Sequence, residues 1–294
     1  MKSIDLGGIV IRDVMEFAGP RFRPHELLPD STPERIAVHR PWMEPDLYDG
    51  ARDLLWIDRR SYIVQTRHHT ILVDTCVGED KERSRPNFHH LKSPWMGNFR
   101  ALGLAPEAVD VVFCTHLHAD HVGWNTRLAN RHWVPTFPNA RYLFGRIELD
   151  FCRSELERRA DPDGPVLEDS VLPILDAGQA VLVDDSYEIE PGVFLELTAG
   201  HTPGHLCLHL QGTRRAVLTG DLMHHPVQVW EPQWNSCFCH DAARSRQTRQ
   251  DFLHRHCETD ALILPTHFGR GAAGRVMSRP GGFRFDFLEA STTP

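Results

Sequence analysis

Four side chains able to bind a metal fall within six positions of the stretch VVFCTHLHADHVGW, residues 111–124: His116, His118, Asp120 and His121. Imidazole and carboxylate are ligands that zinc, iron(II) and manganese accept. His116 and His118 stand two apart at the end of an apolar run, where the period of a strand points both to one side. Asp120 and His121 are adjacent and need different directions, so the chain must turn, and Gly123 suits the turn. Four donors this close could feed two metals, which a single tetrahedral site would not require.

More donors stand beyond other apolar runs. VFLELTAGHTPGH places His201 just after 193–198, RAVLTGDLMHH places Asp221 just after 215–220, and ALILPTHFG places His267 just after 261–266. Each follows the C-terminal end of an expected strand, the edge at which α/β folds gather functional loops. Any one histidine reads as an ordinary surface or core side chain. The repetition points to a metal centre.

The elements that must position these donors are short and β-rich. Strands are expected at 62–66, 70–75, 110–115, 141–144, 180–183, 193–198, 206–210, 215–220 and 261–266, and helices near 96–104, 145–159 and 243–257. Two batches of strands with interspersed helices predict a layered α/β protein of two sheets with helices outside. The Pro-rich segment 20–46 reads as an irregular arm or lid, and GRGAAGRVMSRPGGF, 269–283, as a Gly-rich loop.

The 294 residues, 41% hydrophobic and 24% charged, are enough for a well-buried core. A formal charge of −8 argues against a nucleic-acid surface. No stretch approaches the ~18 apolar residues of a membrane span. The first residues lack a signal-type apolar segment, so a cytoplasmic location is expected. Seven scattered cysteines suit reduced thiols better than a disulfide framework, and Cys237 and Cys239 in CFCH give only a weak metal signal.

The HLHADH loop, GHTPGH, TGD and PTH occur in the order of the metallo-β-lactamase superfamily, which the chain resembles over roughly residues 60–270. The resemblance implies a four-layer αββα sandwich, one domain over 1–294, with the metal site at one edge of the two sheets. It implies one ion on His116, His118 and His201, a second on Asp120, His121 and His267, and Asp221 bridging them. LVDT, 72–75, resembles the family's first motif and makes Asp74 the residue that orients the histidine loop. The ions are expected to be zinc, with iron, manganese or cobalt as alternatives. Their charge outweighs that of Asp120 and Asp221, which leaves place for a bridging hydroxide to attack a carbonyl or phosphoryl centre. Asp120 is then a candidate to accept or relay a proton.

Within the superfamily, flavodiiron proteins carry Glu where Ala119 stands, and the commonest zinc β-lactamases use a cysteine where the late ligands here are Asp221 and His267. GDLMHHPVQVW resembles the lactonase and methyl-parathion-hydrolase-like branch. There, His224 stands where acyl-homoserine lactonases have a tyrosine that contacts a substrate oxygen, which implies a hydrogen-bond donor. Trp124 and Trp230 are candidates to line an apolar cleft, and Arg270 to hold a substrate carboxylate. The expected activity is dinuclear hydrolysis of a lactone or carboxylic ester, with phosphotriesters as a further class. The alternatives are a mononuclear-iron, persulfide-dioxygenase-like oxidoreductase, which shares the HADH string, and a glyoxalase II-like thioester hydrolase. The expected partner is a small apolar substrate, with no nucleic acid or membrane, and a homodimer through the 20–46 arm.

Overall fold

The apolar runs of the sequence become the central strands of two seven-stranded sheets. The computed structural model describes residues 3–158 and 163–288. Among the described residues two compact units emerge, one of 3–17 and 59–187, the other of 18–58 and 188–288.

In the first unit the strand order is Ile4–Asp5, Val10–Phe17, Arg59–Gln65, Thr70–Val73, Val111–Phe113, Arg141–Gly145, Ala180–Val183. Thr70–Val73, Val111–Phe113 and Arg141–Gly145 run parallel, so the loops that follow them leave one edge of the sheet. Val111, Val112 and Phe113 are all fully buried, as a parallel strand covered on both faces requires. Trp95 anchors the core beside them: it is fully buried, stacks on Phe99 at 5.4 Å and on Trp124 at 5.5 Å, and donates its indole N–H to Ser61 Oγ at 3.0 Å. Burying such a side chain stabilises by about 2–3 kcal/mol.

The second unit orders its sheet Glu188–Glu190, Val193–Leu197, Leu206–Gln211, Arg215–Leu218, Leu262–Leu264, Gly274–Arg279, Gly282–Phe287. Val193–Leu197 is antiparallel to Leu206–Gln211, which is antiparallel to Arg215–Leu218, which is parallel to Leu262–Leu264. Three of these strands therefore end at the same edge. Helix Ala242–His256, capped by the Asp241 carboxylate, buries Arg249, Phe252 and Leu253.

Two expectations are corrected. The 20–46 segment is not irregular: it forms strand Pro20–Phe22, the helical turn Pro24–Leu27 and helix Pro33–Met43. Its prolines sit where helices tolerate them, Pro33 following the N-cap Thr32, while Pro41 near the end lets the helix run only to Met43. Leu27, Leu28, Ile36 and Met43 pack with Leu47, Tyr48, Leu55 and Ile57 in a core cluster shared with Val227 and Trp234. The segment 269–283 is likewise not a loop throughout; Gly274–Arg279 pairs with Gly282–Phe287 as a hairpin closing the sheet. Its glycines serve local turns and close approaches: a Cβ on Gly274 would meet the Phe285 ring at 2.4 Å. The helix expected at 145–159 is observed as Arg146–Glu157, and Arg159 lies outside the described residues.

Candidate metal centre

In the first unit the donors follow strand Val111–Phe113 and enter the short helix Ala119–Val122. The His116 ring centroid lies 4.6 Å from that of His118 and 4.1 Å from that of His121. Asp120 Oδ1 lies 3.8 Å from His121 Nε2. Asp74, beyond the parallel neighbour strand, holds this loop. Its Oδ1 accepts the Thr115 N–H at 2.8 Å, and its Oδ2 accepts His121 Nδ1–H at 2.9 Å. Thr115 Oγ1 donates to the same carboxylate and stands 3.0 Å from His116 Nδ1, which donates to it in turn. His116 and His121 are thus both fixed as the tautomer whose Nε2 carries the lone pair. Asp74 itself adopts φ 56, which a short polar side chain tolerates. A second carboxylate, Glu148, accepts the Leu117 N–H at 3.1 Å.

The loop is pressed against the segment after Asp74. Thr75 N–H donates to the His121 carbonyl at 2.7 Å, Gly123 N–H to the Cys76 carbonyl at 2.8 Å, and Trp124 N–H to the Thr75 carbonyl at 2.9 Å. A Cβ on Gly123 would lie 1.9 Å from the Val77 carbonyl carbon, so only glycine allows this approach.

In the second unit the donors come from three strand ends. The Asp221 carboxylate lies 3.4 Å from His201 Nε2, 3.1 Å from His224 Nε2 and 3.0 Å from His267 Nε2. All four side chains are buried. His201, Asp221 and His224 each offer a ligand atom within 4.8 Å of the others. His267 donates Nδ1–H to the Asp58 carbonyl at 2.8 Å, which leaves Nε2 as the nitrogen that could meet an ion. The donor chemistry in both units fits a divalent transition ion: imidazole nitrogens and carboxylates, with the Nδ1 of His116, His121 and His267 each held by an oxygen.

The sequence model of the metallo-beta-lactamase superfamily matches residues 56–267. The chain belongs to that family. An N-acyl homoserine lactonase of Bacillus sp is 26% identical over 162 residues, 51% of this chain and 57% of that protein. The N-acyl homoserine lactonase AttM of Rhizobium radiobacter is 28% identical over 181 residues, 57% of this chain and 61% of that protein. The chain thus spans little more than half the length of these curated relatives. Among solved structures, the hydrolase AbOPH of the β-lactamase superfamily is similar at a TM-score of 0.82 and 20% identity, covering 97% of this chain and 96% of that one. AidC, a dizinc quorum-quenching lactonase, is similar at a TM-score of 0.78 and 20% identity, covering 98% and 97%.

Other candidates are placed less openly than their sequence positions suggest. Trp124 is buried and stacked against Trp95. Trp230 stacks on Trp42 at 5.0 Å under the Arg279 guanidinium. Arg270 is exposed, 3.8 Å from Asp46. Cys239 of CFCH lies 3.8 Å from His201 Nδ1, while Cys237 is exposed. Burial pushes the Cys239 thiol up, which keeps it protonated. His225 donates Nε2–H to the Leu47 carbonyl at 2.9 Å, and burial pushes it down to about 4, so it is a neutral packing residue.

Two positioning residues escaped the sequence reading. His205, fully buried, accepts the Asp221 N–H on Nε2 at 3.0 Å and contacts Thr198 Oγ1 through Nδ1 at 2.8 Å. It is the last residue of GHTPGH, so the signal was present in the string. Gln228 Oε1 accepts the His224 N–H at 2.7 Å and its Nε2 donates to the Trp234 carbonyl at 3.0 Å. No charge or pattern in PVQVW marks that role.

Proposed function

We propose that this protein is a metal-dependent hydrolase that opens lactones or carboxylic esters, its two donor sets together holding two divalent ions, most simply zinc. His116, His118 and His201 would hold one ion, Asp120, His121 and His267 the other, with Asp221 shared. The observation that carries the reading is the buried Asp221 carboxylate surrounded by three imidazole Nε2 atoms, in a chain whose 116–121 loop presents three more imidazoles. The N-acyl homoserine lactonases among its relatives support a lactone as substrate. When bound, such ions lower the pKa of water toward neutrality and polarise a carbonyl oxygen.

The chain's own residues do the rest. Asp74, Thr115 and the Asp58 carbonyl orient the imidazoles and hold their protons on Nδ1. Asp120, 22% exposed, is the carboxylate placed to accept or relay a proton. His224 is assigned to hydrogen-bond the carbonyl or leaving oxygen of the substrate, its backbone fixed by Gln228.

The test is metal analysis of protein purified without added metal, together with rates on lactones, p-nitrophenyl esters, thioesters and paraoxon-type phosphotriesters. About two zinc ions per chain and fastest turnover of a lactone or ester are expected. One iron with oxygen uptake on glutathione persulfide would overturn the reading, and a strong preference for thioesters would shift it to glyoxalase II-like hydrolysis.

A further inference from the structure

The first unit contains a cleft of about 390 Å³ that none of the metal-binding candidates lines. That volume lies in the range of small-molecule sites, roughly 300–1,000 Å³. Its walls include Met96 and Arg100 of helix Trp95–Ala101, Pro106 and Glu107 of the following turn, Arg127 of strand Thr126–Ala129, and Thr136.

Three of these side chains are chemically uncommitted. Neither the Arg100 nor the Arg127 guanidinium makes an ion pair or hydrogen bond among the described residues. Arg59, Arg83 and Arg215, by contrast, each hold a carboxylate. Thr136 is 2% exposed, and its Oγ1 has no hydrogen-bond partner among the described residues. A buried hydroxyl left in this state normally has a partner supplied to it. The position of Thr136 is not loose: its N–H donates to the Asn125 carbonyl at 2.9 Å. Asn139 Nδ2 ties the opposite wall by donating to the Glu107 carbonyl at 2.9 Å.

We propose that this cleft is a second ligand site, which takes a small amphiphilic carboxylate. The two guanidiniums clamp the carboxylate, for which their planar forks are suited. The Thr136 hydroxyl donates to the same group, and the apolar body of the ligand lies against Met96 and Pro106. Glu107 sets the charge. Two arginines and one glutamate leave a single positive charge to be met, which fits a monoanion and works against a phosphate dianion. The site stands independently of the hydrolase reading, since it shares no residue with the donor sets.

Isothermal titration of octanoate, and separately of inorganic phosphate, into the metal-loaded protein tests this. Octanoate is expected to bind wild type and His118→Ala alike, and at least tenfold more weakly to the double variant Arg100→Gln, Arg127→Gln. The charge-keeping double variant with lysines should recover part of the loss. Both arginines are exposed, so the glutamine variant is expected to keep wild-type turnover, which serves as its folding control. Phosphate should bind at least tenfold more weakly than octanoate. An isotherm unchanged in the glutamine variant would overturn the site. So would loss of binding in His118→Ala alone, which would place the carboxylate at the metal centre, or phosphate binding as tightly as octanoate.

Discussion

In the unit of 3–17 and 59–187, four donors come from one short loop, 116–121, whereas in the other unit three come from separate strand ends at 201, 221 and 267. The loop has only one strand to fix it, so side chains complete its geometry: Asp74 and Thr115 on one flank and Glu148 on another. The strand-end donors inherit their positions from the ends of their strands, among them Arg215–Leu218 paired with Leu262–Leu264, and His267 takes its orientation from a backbone carbonyl. A donor set held by side chains can be undone by single substitutions away from the donors. One held by sheet register and a carbonyl offers fewer such positions.

The two donor sets are expected to respond differently to substitution. Asp221→Ala removes the carboxylate on which three imidazoles converge, and kcat/KM on the best substrate should fall more than about a thousandfold, with loss of bound metal. Retention of a tenth of wild-type activity would remove Asp221 from the centre. Asp74→Asn is expected to cost about 10–100-fold in activity or metal affinity, the usual range for a residue that orients a ligand. Asp58→Asn should change either by less than about threefold, because the group that holds His267 is the Asp58 carbonyl. Equal losses in these two variants would end the distinction between side-chain and backbone anchoring. His205→Leu falls between them, at about tenfold, since it leaves the Asp221 N–H without its acceptor.

Buried cations extend the contrast to pH. Lys81 in the loop unit is fully buried, with its ammonium 3.6 Å from the Trp133 ring centre and donating to Thr126 Oγ1. Burial, only partly offset by Asp169, pushes it down from 10.5 to about 7. Arg249 in the other unit is pushed down only to about 10, also by burial, and donates to the Pro232 carbonyl and Asn235. Between about pH 7 and 10.5 the unfolded chain keeps a proton on Lys81 that the folded chain has released. Folding is therefore expected to strengthen as pH rises through that window and to carry the full cost of the buried charge below it. Lys81→Met should flatten the rise by up to about 1 kcal/mol per pH unit, read from urea midpoints at pH 7 and 9. An identical slope in the variant would assign the dependence elsewhere. The smallest effect expected is that of Arg270→Gln, less than about twofold on any rate, because that side chain is exposed beside Asp46.

Much of this was readable from residue order. The central strands, the helix Ala242–His256 and the α/β class followed from apolar runs and their period, and the donors stood out because each followed such a run. The helix Pro33–Met43 was hidden by its prolines, two of which lie within it. The hairpin Gly274–Phe287 was hidden by its glycines, of which Gly274 serves a close contact and Gly281 the turn. Proximity along the chain to a ligand says nothing of which way a ring turns, and Trp124 and Trp230 are each stacked on another aromatic ring. Gln228 and the Asp58 carbonyl carry no sequence signature at all, since any backbone offers a carbonyl and an isolated Gln offers no pattern.

The crossing of backbone at Gly78 and Gly123 bears on how this protein could be re-engineered. The Gly78 Cβ position lies 2.6 Å from the Gly123 carbonyl carbon, so neither residue has room for a side chain. A mutant library that diversifies the loops around 74–78 and 121–124 to change substrate range should therefore hold these two codons fixed. Randomising them would fill the library with unfolded chains and obscure whatever gain the neighbouring positions offer.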